Sequence, residues 1–298
     1  MALGHMDQGL VMVDGVGSIR LANDRAIALL DLPRVLMISG PTYPAVLEVQ
    51  WRSGEYGRNG ERVDARVREM IRAAAAGRDL FGDLTLYERT RPNGTVLEIR
   101  TSPLPTGGFV RTYTDVTERK QTEALMTHLA RHDHLTGLAN RRYFQEQIDA
   151  AIAAAGLDGC SALLFLDLDR FKSINDTFGH AAGDAVIETV GRRLRSVSPA
   201  GTSVGRLGGD EFAVLCAETR TATIATALAD QIIDLVCEPI VVDDRELTVG
   251  VSIGIAFAPK DATDSRGLQR KADLALFRAK TSGRNRRCVF DETIDVGC

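Results

Sequence analysis

The sequence lacks the features that mark a membrane or secreted protein. No apolar run in the 298 residues approaches the about 20 residues that a spanning helix needs. The N-terminus has no basic segment followed by an apolar one, as a secretory signal would. Residues 4–6 (GHM) resemble a remnant of an expression tag, so His5 is assigned no role. We therefore expect a cytoplasmic protein that does not act at a membrane.

Cysteines and histidines are too few and too scattered for a disulfide framework or a zinc site. The five cysteines lie mostly in apolar stretches, which favours reduced thiols in the core: Cys160, Cys216, Cys237, Cys288 and Cys298. His132 and His134 flank Asp133, but the surrounding sequence, RHDHLTGLANRR, indicates a structural turn rather than a metal site.

The chain also lacks an excess of positive charge. Its 36 lysines and arginines against 40 aspartates and glutamates give a net charge of -4. This balance offers no electrostatic footprint for a nucleic-acid polymer, although it is compatible with a local basic site for a small phosphate ligand. The composition is that of a soluble globular protein, and the length suits two ordinary domains.

Residues 7–114 are predicted to form a small mixed α/β domain. A first hairpin joins residues 10–13 to residues 19–21, and a second turns at residues 92–94 (PNG). Between them, the sequence NDRAIALL predicts a helix that stops before Pro33, and GFVRTYTDV gives a further strand. A domain of this size and pattern is typical of a sensor.

A connector is predicted over residues 115–132 (DVTERKQTEALMTHLARH). Asp115 and Glu118 are placed as in a capping box, and Leu125 and Leu129 repeat at helical spacing. Because this apolar stripe is too narrow for a core helix, we expect a connector that pairs with its copy in a second subunit. A solvated spacer helix is the alternative.

Strands and helices alternate over residues 133–292, which predicts a mostly antiparallel sheet with helices on its faces. The run SALLFLDLD has the length of a strand buried on both faces, and it ends in the carboxylates of Asp167 and Asp169. In SVGRLGGDEFAVLC, a glycine turn joins two strands. The fold class is therefore α/β, or α+β, with two domains and a connector helix.

The glycine turn is the strongest indication of a functional site. Gly208 and Gly209 can adopt positive φ and expose backbone amides to phosphates, although a hairpin turn alone also explains them. A turn does not need Asp210 beside Glu211, whose like charges repel unless a cation or a proton separates them. If the two acidic segments are neighbours in the sheet, Asp167 lies at the same edge. Because Mg²⁺ prefers oxygen ligands and bridges carboxylates to phosphates, this pattern indicates metal-assisted phosphoryl or nucleotidyl transfer.

Candidate substrate contacts lie near these acids. Lys280 and Arg284 are four residues apart near a predicted helix end, and Lys172 follows the acidic strand end, so all three are placed to hold a polyphosphate. Each is equally compatible with an ordinary surface residue. A carboxylate can accept both N–H donors of the guanine edge and an amide can donate to its acceptors, which makes Asp184 and Asn175 candidates for base recognition.

Five motifs in order resemble those of the GGDEF diguanylate cyclases. They run over about residues 133–290: DHLTGLANRR, DLDRFKSINDTFGHAAGD, GGDEF, VSIGIA and ADLALFRAKTSGRN. The resemblance implies a palm-like antiparallel sheet flanked by helices. It also implies the conversion of two GTP molecules into cyclic di-GMP and two pyrophosphates by an antiparallel homodimer, in which each domain holds one GTP.

The same resemblance assigns the site residues. Mg²⁺ or Mn²⁺ would be held by four groups: Asp167, the Leu168 carbonyl, Asp210 and Glu211. The phosphates and guanine would be bound by seven residues: Lys172, Asn175, Asp184, Gly208, Gly209, Lys280 and Arg284. Catalysis would depend on Glu211, as a metal ligand or as the base that helps to deprotonate the attacking hydroxyl, together with Asp210 and Lys280.

Residues 7–114 resemble a PAS sensor domain in the sequence DQGLVMVDGVGSIRLAN, and DVTERK resembles the exit of such a domain into a signalling helix. The ligand of this domain is not predicted. Because the domain has no cysteine and its segment has only His5 before the connector, the sequence disfavours a flavin–thiol adduct and a histidine-ligated haem. Trp51, Tyr43 and Phe81 are candidates for lining a small-molecule pocket, or more commonly for the core.

One departure from the family pattern concerns regulation. Residues 199–202 read PAGT where many members carry an inhibitory Arg-x-x-Asp product site, so we do not expect product inhibition through that site. The chain has no phosphodiesterase motif. Two alternatives stay open: a nucleotide or cyclic di-GMP receptor or scaffold with a residual active site, and a cyclase that makes a mixed purine dinucleotide, for which Asp184 is the discriminating residue.

Overall fold

The computed structural model describes residues 6–78, 85–155, 160–199, 201–217 and 222–295. The chain divides into two compact units, Met1–Leu125 and Met126–Cys298. This division falls inside the predicted connector.

The first unit is a mixed α/β unit with an antiparallel sheet. Its elements follow the chain in the order β1 (Gly9–Asp14), β2 (Ile19–Ala22), α1 (Asp24–Leu29), α2 (Arg34–Ile38), α3 (Tyr43–Arg52), α4 (Ala65–Ala75), β3 (Leu86–Thr90), β4 (Val96–Pro103) and β5 (Gly108–Asp115). The next helix, α5 (Thr117–Arg131), contains the division between the two units. The strands pair in the order β2-β1-β5-β4-β3. Both predicted hairpins, β1–β2 and β3–β4, are confirmed. The helices α2, α3 and α4 were not predicted.

The core of this unit lies between the helices and one face of the sheet. Alternating side chains such as Val11 and Val13 on β1, and Leu97 and Ile99 on β4, are buried against the helices, because successive strand residues point to opposite faces. Helix α1 begins at Asn23, whose Oδ1 accepts hydrogen bonds from the amides of Ala26 (2.9 Å) and Leu10 (2.8 Å). This side chain therefore fixes both the start of α1 and its position on β1.

Helix α5 differs from the predicted capping box at its start. The Asp115 carboxylate accepts hydrogen bonds from the amide (3.0 Å) and hydroxyl (2.6 Å) of Thr117, two residues on, rather than from the amide of Glu118. None of the residues of α5, all of which the structure describes, is buried. Leu125, Met126 and Leu129 are 57%, 65% and 55% exposed. The predicted apolar stripe is therefore present and uncovered in the single chain.

The second unit is built on a larger sheet. Its elements are β6 (Ala139–Asn140), α6 (Arg141–Ala155), β7 (Ser161–Asp169), α7 (Phe171–Phe178), α8 (His180–Val197), β8 (Thr202–Gly208), β9 (Glu211–Cys216), α9 (Ala222–Cys237), β10 (Ile240–Val242), β11 (Arg245–Leu247), β12 (Gly250–Ala258), α10 (Ser265–Thr281), β13 (Arg287–Val289) and α11 (Glu292–Asp295). The sheet order is β13-β12-β7-β9-β8-β6, and β10 and β11 form a separate hairpin. The central pairs are antiparallel, and the edge pairs β12–β13 and β6–β8 are parallel. The predicted, mostly antiparallel sheet is confirmed.

Strand β7 is buried on both faces, as predicted. Leu164 and Leu166 join a core with α7, α8 and α9, whereas Leu163 joins a core with α6 and α10. Helices therefore cover both faces of the sheet, and the polar end of β7 emerges between them at one edge.

The cysteines are less buried than the sequence indicated. Of the four that the structure describes, Cys216 in β9 is buried, and three are half-buried at element ends or in an edge strand: Cys160, Cys237 and Cys288. Apolar sequence neighbours do not bury a residue that lies where a strand or helix ends.

In the part of the chain that the structure describes, no helix combines the length and apolar character needed to cross a bilayer.

Candidate functional site

The two acidic segments meet in the sheet. Strands β7 and β9 pair so that Asp167 lies directly opposite Glu211. The amide of Leu168 donates to the carbonyl of Asp210 (3.2 Å), which holds the turn against the end of β7. Side chains opposite each other on antiparallel strands have Cβ atoms about 4.5–5.5 Å apart. The two acidic segments therefore meet at the same end of neighbouring strands, as predicted.

The glycine turn between β8 and β9 has the predicted backbone. Gly208 and Gly209 have φ of 148° and 51°, in the region that side chains other than glycine rarely adopt. A Cβ on Gly209 would meet no atom within 4 Å, so the space on that side of the turn is open. Glycine is required at these two positions because of their positive φ angles, and not because a side chain would meet other atoms.

An ion pair that the sequence analysis did not assign supports this turn. Arg206 donates to the carbonyl of Gly209 through Nε (3.1 Å) and Nη2 (2.9 Å), and its Nη1 lies 3.1 Å from Asp133 Oδ1. Burial raises the pKa of Asp133, but hydrogen bonds from Thr136 and Arg206 lower it below its usual value, so the pair stays charged. The motif DHLTG, which contains Asp133, was the signal for this role.

The site is rich in negative charge. Lys280 Nζ lies 2.7 Å from Asp167 Oδ2. The pKa of Asp167 is nevertheless raised, because burial and the negative charges of Asp210 and Glu211 outweigh the lowering effect of Lys280. A divalent cation would relieve this repulsion, and carboxylate and carbonyl oxygens are the donors that Mg²⁺ or Mn²⁺ prefers. The donor set therefore fits the predicted metal.

The donors are coupled electrostatically but are not arranged around a common point. Among the described residues, no group of three or more acidic, histidine or cysteine side chains is close enough to hold a metal ion. Asp167 is paired with Lys280, and Glu211 Oε2 accepts a hydrogen bond from Arg141 Nη2 (3.0 Å). Binding of a cation would require at least these two carboxylates to turn toward it.

Arg141 is a second residue that the sequence analysis missed. Its Nε donates to the carbonyl of Leu207 (2.9 Å) while Nη2 donates to Glu211, so one guanidinium ties the strand before the turn to the carboxylate after it. Arg141 opens α6 directly after the short strand β6, which pairs with β8. That pairing places the arginine beside the hairpin, and its place in the motif DHLTGLANRR was the available signal.

The two candidates for base recognition are neighbours. Asn175 lies in α7 and Asp184 in the first turns of α8, and a Cβ on Gly183 would lie 1.9 Å from Asn175 Oδ1. Asn175 therefore packs against Gly183 of α8, the residue before Asp184, and the side chain of Asp184 is exposed. Lys172 is exposed in the first turn of α7.

The prediction that Lys280 and Arg284 share a helix face is wrong. Helix α10 ends at Thr281, and Arg284 lies beyond it with φ of 63°. Its segment is held by Asp169, whose Oδ2 accepts from the amide of Asn285 (2.9 Å). Arg284 lines a cleft with Asp169 and Arg170, whereas Lys280 reaches Asp167. Spacing of four residues implies one face only where the helix continues.

The segment around the two histidines forms a turn, as predicted. The Asp133 carboxylate accepts from the amide (2.9 Å) and hydroxyl (2.7 Å) of Thr136, and His132 Nδ1 lies 3.2 Å from the carbonyl of Gly137.

In the first unit, the aromatic candidates pack in the core. Tyr43 meets Phe109 edge to face with centroids 5.1 Å apart, and Trp51 lies 5.5 Å from Tyr56. Phe81 lies outside the described residues. A ligand-lining role for these side chains stays a prediction.

Comparisons with known proteins agree for both units. Residues 130–286 match the family model of the diguanylate cyclase GGDEF domain, and residues 3–124 match a PAS fold model. An uncharacterized signaling protein of Caulobacter vibrioides is 33% identical over 97% of this chain and 34% of its own length. The diguanylate cyclase TpbB of Pseudomonas aeruginosa is 40% identical over 55% of this chain and 38% of its own length. The chain spans about a third of the length of these curated relatives.

Solved structures of GGDEF domains are similar to a little over half of this chain. The GGDEF domain of TpbB is 39% identical with a TM-score of 0.54, covering 56% of this chain and 97% of that one. The coiled coil and GGDEF domain of DgcB from Caulobacter crescentus, in complex with c-di-GMP, is 29% identical with a TM-score of 0.54 and covers 58% of this chain and 93% of that one.

Proposed function

Because this chain belongs to the family of GGDEF diguanylate cyclases, we propose that it converts two molecules of GTP into cyclic di-GMP and two pyrophosphates. The 3′-hydroxyl of each GTP attacks the α-phosphate of the other, a P–O bond forms, and the bond to pyrophosphate breaks. Two facing domains each contribute one bound GTP. The observation that carries the proposal is the pairing of Asp167 with Glu211 across β7 and β9, with Lys280 2.7 Å from Asp167.

The acidic edge takes the reactive end of the substrate. Mg²⁺ or Mn²⁺ bound there supplies a positive charge that offsets the phosphates and favours ionisation of the attacking hydroxyl. Asp167, Asp210 and the Leu168 carbonyl would hold it. Glu211 would be a further ligand or accept the hydroxyl proton, and its exposed position beside the turn leaves it accessible to a facing subunit.

The basic residues hold the phosphates. Lys280, whose Nζ lies 2.7 Å from Asp167 Oδ2, would bind a phosphate oxygen through its ammonium group. Lys172 on α7 and Arg284 on the segment after α10 would bind further phosphate oxygens. The open turn at Gly208 and Gly209 admits the substrate without a side chain in the way.

Guanine is read at α7 and α8. Asp184 accepts the two N–H donors of the guanine edge and Asn175 donates to an acceptor of the base. The contact of Asn175 with Gly183, the residue before Asp184, supports this assignment.

Arg141 acts on Glu211 as a positioning residue. By bridging Leu207 and Glu211 it limits the directions in which the carboxylate can point. Rigid placement of reacting groups is a large part of catalysis, so this contact matters more to turnover than to stability.

The first unit would regulate the second as a PAS sensor, and α5 would pair with its copy in a homodimer. Leu125, Met126 and Leu129 form an exposed stripe that a second helix would cover. The DgcB structure also contains a coiled coil with its GGDEF domain.

The test is incubation of the purified chain with GTP and Mg²⁺, with cyclic di-GMP followed by chromatography. We expect product from the wild type and none from Glu211→Gln, whose fold is retained because the side chain is exposed. Glu246→Gln, on exposed β11, is the control and should stay active. No product at high protein concentration, with GTP still bound, would favour a receptor or scaffold instead, and a mixed product in the presence of ATP would favour the mixed-dinucleotide cyclase.

A further inference from the structure

Two histidines stack on each other at the end of the connector helix α5. The rings of His128 and His132 have centroids 4.3 Å apart and planes 19° from parallel. The amide of His132 donates to the carbonyl of His128 (2.9 Å), so the helical geometry continues through His132 and places the two side chains one turn apart on one face. The sequence pairs His132 with His134 around Asp133, whereas in the structure His132 meets His128.

The hydrogen bonding of His132 leaves one of its ring nitrogens available. Its Nδ1 lies 3.2 Å from the carbonyl of Gly137. Because a carbonyl oxygen can only accept, Nδ1 carries the proton of the neutral ring and Nε2 keeps its lone pair. Histidines that bind metals commonly donate their other ring nitrogen to a carbonyl or a carboxylate, which fixes the tautomer and the ring orientation. His132 therefore has the hydrogen-bond arrangement of a metal ligand.

The spacing of the two histidines also suits a metal ion. Histidines four residues apart on a helix are a known zinc-binding arrangement. Two ligand nitrogens of a tetrahedral zinc site are about 3.4 Å apart, because each lies about 2.0–2.1 Å from the ion. The centroids of the stacked rings, 4.3 Å apart, are close to this separation. His128 is exposed, so its ring can turn toward Nε2 of His132 without displacing the core.

One chain supplies only part of such a site. Among the described residues, no group of three or more histidine, cysteine or acidic side chains is placed to hold a metal ion. Positions 125, 128, 129 and 132 have the spacing i, i+3, i+4, i+7, so both histidines lie on the face of α5 that carries the exposed apolar stripe. A second connector packed in parallel on this face brings two more histidines, and four nitrogens are the usual coordination of Zn²⁺.

We propose that a zinc-like divalent ion binds between two paired connectors, held by His128 and His132 of each chain. Imidazole nitrogens suit Zn²⁺, whereas Mg²⁺ prefers oxygen ligands, so this site differs in chemistry from the acidic edge. His132 directly precedes Asp133, whose carboxylate lies 3.1 Å from Arg206 Nη1. The ion therefore joins the two connectors next to the ion pair that supports the glycine turn. This inference rests on the proposed pairing of α5 and not on cyclase activity.

The test is a titration of the purified full chain with Zn²⁺ in excess Mg²⁺, which occupies oxygen sites. Free Zn²⁺ is measured with a chromophoric chelator, and sedimentation is recorded with and without Zn²⁺. We expect one Zn²⁺ for every two chains, bound by the dimer. A dimer that binds no Zn²⁺ would overturn the metal site and leave the pairing of α5 in place, whereas a monomer that binds one Zn²⁺ for each chain would overturn both.

Co²⁺ in place of Zn²⁺ reports the geometry of the site. Four nitrogen ligands around Co²⁺ give intense visible absorption, whereas a six-coordinate ion that keeps most of its waters absorbs weakly. We expect the intense spectrum, and it should reach its maximum at one Co²⁺ for every two chains. A weak spectrum at saturation would overturn the four-histidine site.

Two variants locate the ligands. His128→Gln removes an exposed side chain, so the melting temperature without Zn²⁺ should not change. Its Zn²⁺ affinity should fall by more than the about 10- to 100-fold that loss of an outer-shell partner costs, because a direct ligand is lost. His134→Gln, also at an exposed position, is the matched control and should bind Zn²⁺ like the wild type. Unchanged binding in His128→Gln, or a loss in His134→Gln, would overturn the assignment.

Discussion

Replacing Arg141 with glutamine separates the placement of Glu211 from its chemistry. The substitution keeps a side chain of similar shape near the hairpin but removes the charged donor to Glu211 Oε2 (3.0 Å) and the donor to the carbonyl of Leu207 (2.9 Å). Glu211 itself is untouched. We expect turnover of GTP to fall while the fold is retained.

The exposure of the Arg141–Glu211 pair decides whether its loss lowers stability or turnover more. The side chains of Arg141 and Glu211 are 66% and 51% exposed. An exposed ion pair contributes about 0–1 kcal/mol to the free energy of unfolding. Misplacing a reacting group by about 1 Å, in contrast, can lower a rate by about 100-fold. Turnover should therefore fall by one to two orders of magnitude with little change in melting temperature.

The assay measures kcat and KM for GTP at saturating Mg²⁺, together with the melting temperature. Because Arg141 bonds Glu211 and the carbonyl of Leu207, and none of the side chains predicted to bind the nucleotide, kcat should fall more than KM rises. Arg141→Lys keeps the charge with a single donor group and should recover part of the loss. Arg142→Gln, whose exposed side chain pairs with Glu146 at 3.4 Å, is the control and should resemble the wild type. A kcat of Arg141→Gln within about twofold of the wild type would refute the reasoning.

The remaining predictions concern specificity, assembly and the buried charges of the first unit. Asp184→Ser should relax the choice of GTP toward ATP in competition assays, and unchanged discrimination would mean that Asp184 does not read the base. Leu125→Glu with Leu129→Glu should shift sedimentation toward monomer and lower turnover at low protein concentration, and an unchanged dimer would exclude α5 as the pairing helix. Glu55→Gln should lower the free energy of unfolding by about 3–5 kcal/mol at neutral pH, because it leaves the buried arginines that pair with Glu55, Arg89 and Arg91, without a counterion. The folded-state pKa of Glu55 is lowered, so the stabilisation by its carboxylate is present above the ordinary value of 4.5 and is lost as pH falls through the folded-state pKa. Urea denaturation of the wild type and of Glu55→Gln at a series of pH values should therefore show their difference in unfolding free energy shrinking below 4.5. A difference that stays constant with pH would contradict this.

Much of the second unit could be predicted because its signals are local. The run SALLFLDLD alternates between two buried faces, and the glycines at 208 and 209 mark a tight turn, so the strands and the acidic edge follow from short stretches of sequence. Helices α2, α3 and α4 were not predicted because they lack a strong local signal of this kind. Their stripes are short and interrupted by charge, although Asp64, which accepts from the amide of Val67 (2.9 Å), was a usable start signal for α4.

The sequence by itself determined the residue types at the acidic edge, their order along the chain and the alternation that brings two strand ends together. Only the tertiary structure decided that Arg141 holds Glu211, 70 residues away, and that Arg206 holds Asp133, 73 residues away. It also decided that Glu55 is the one acid buried with Arg111 among the described residues of the first unit. Local patterns reflect the period of helices and strands, which is a property of neighbouring residues. The pairing of distant charges depends on strand register and on which side chains burial excludes from water, and these are properties of the folded chain as a whole.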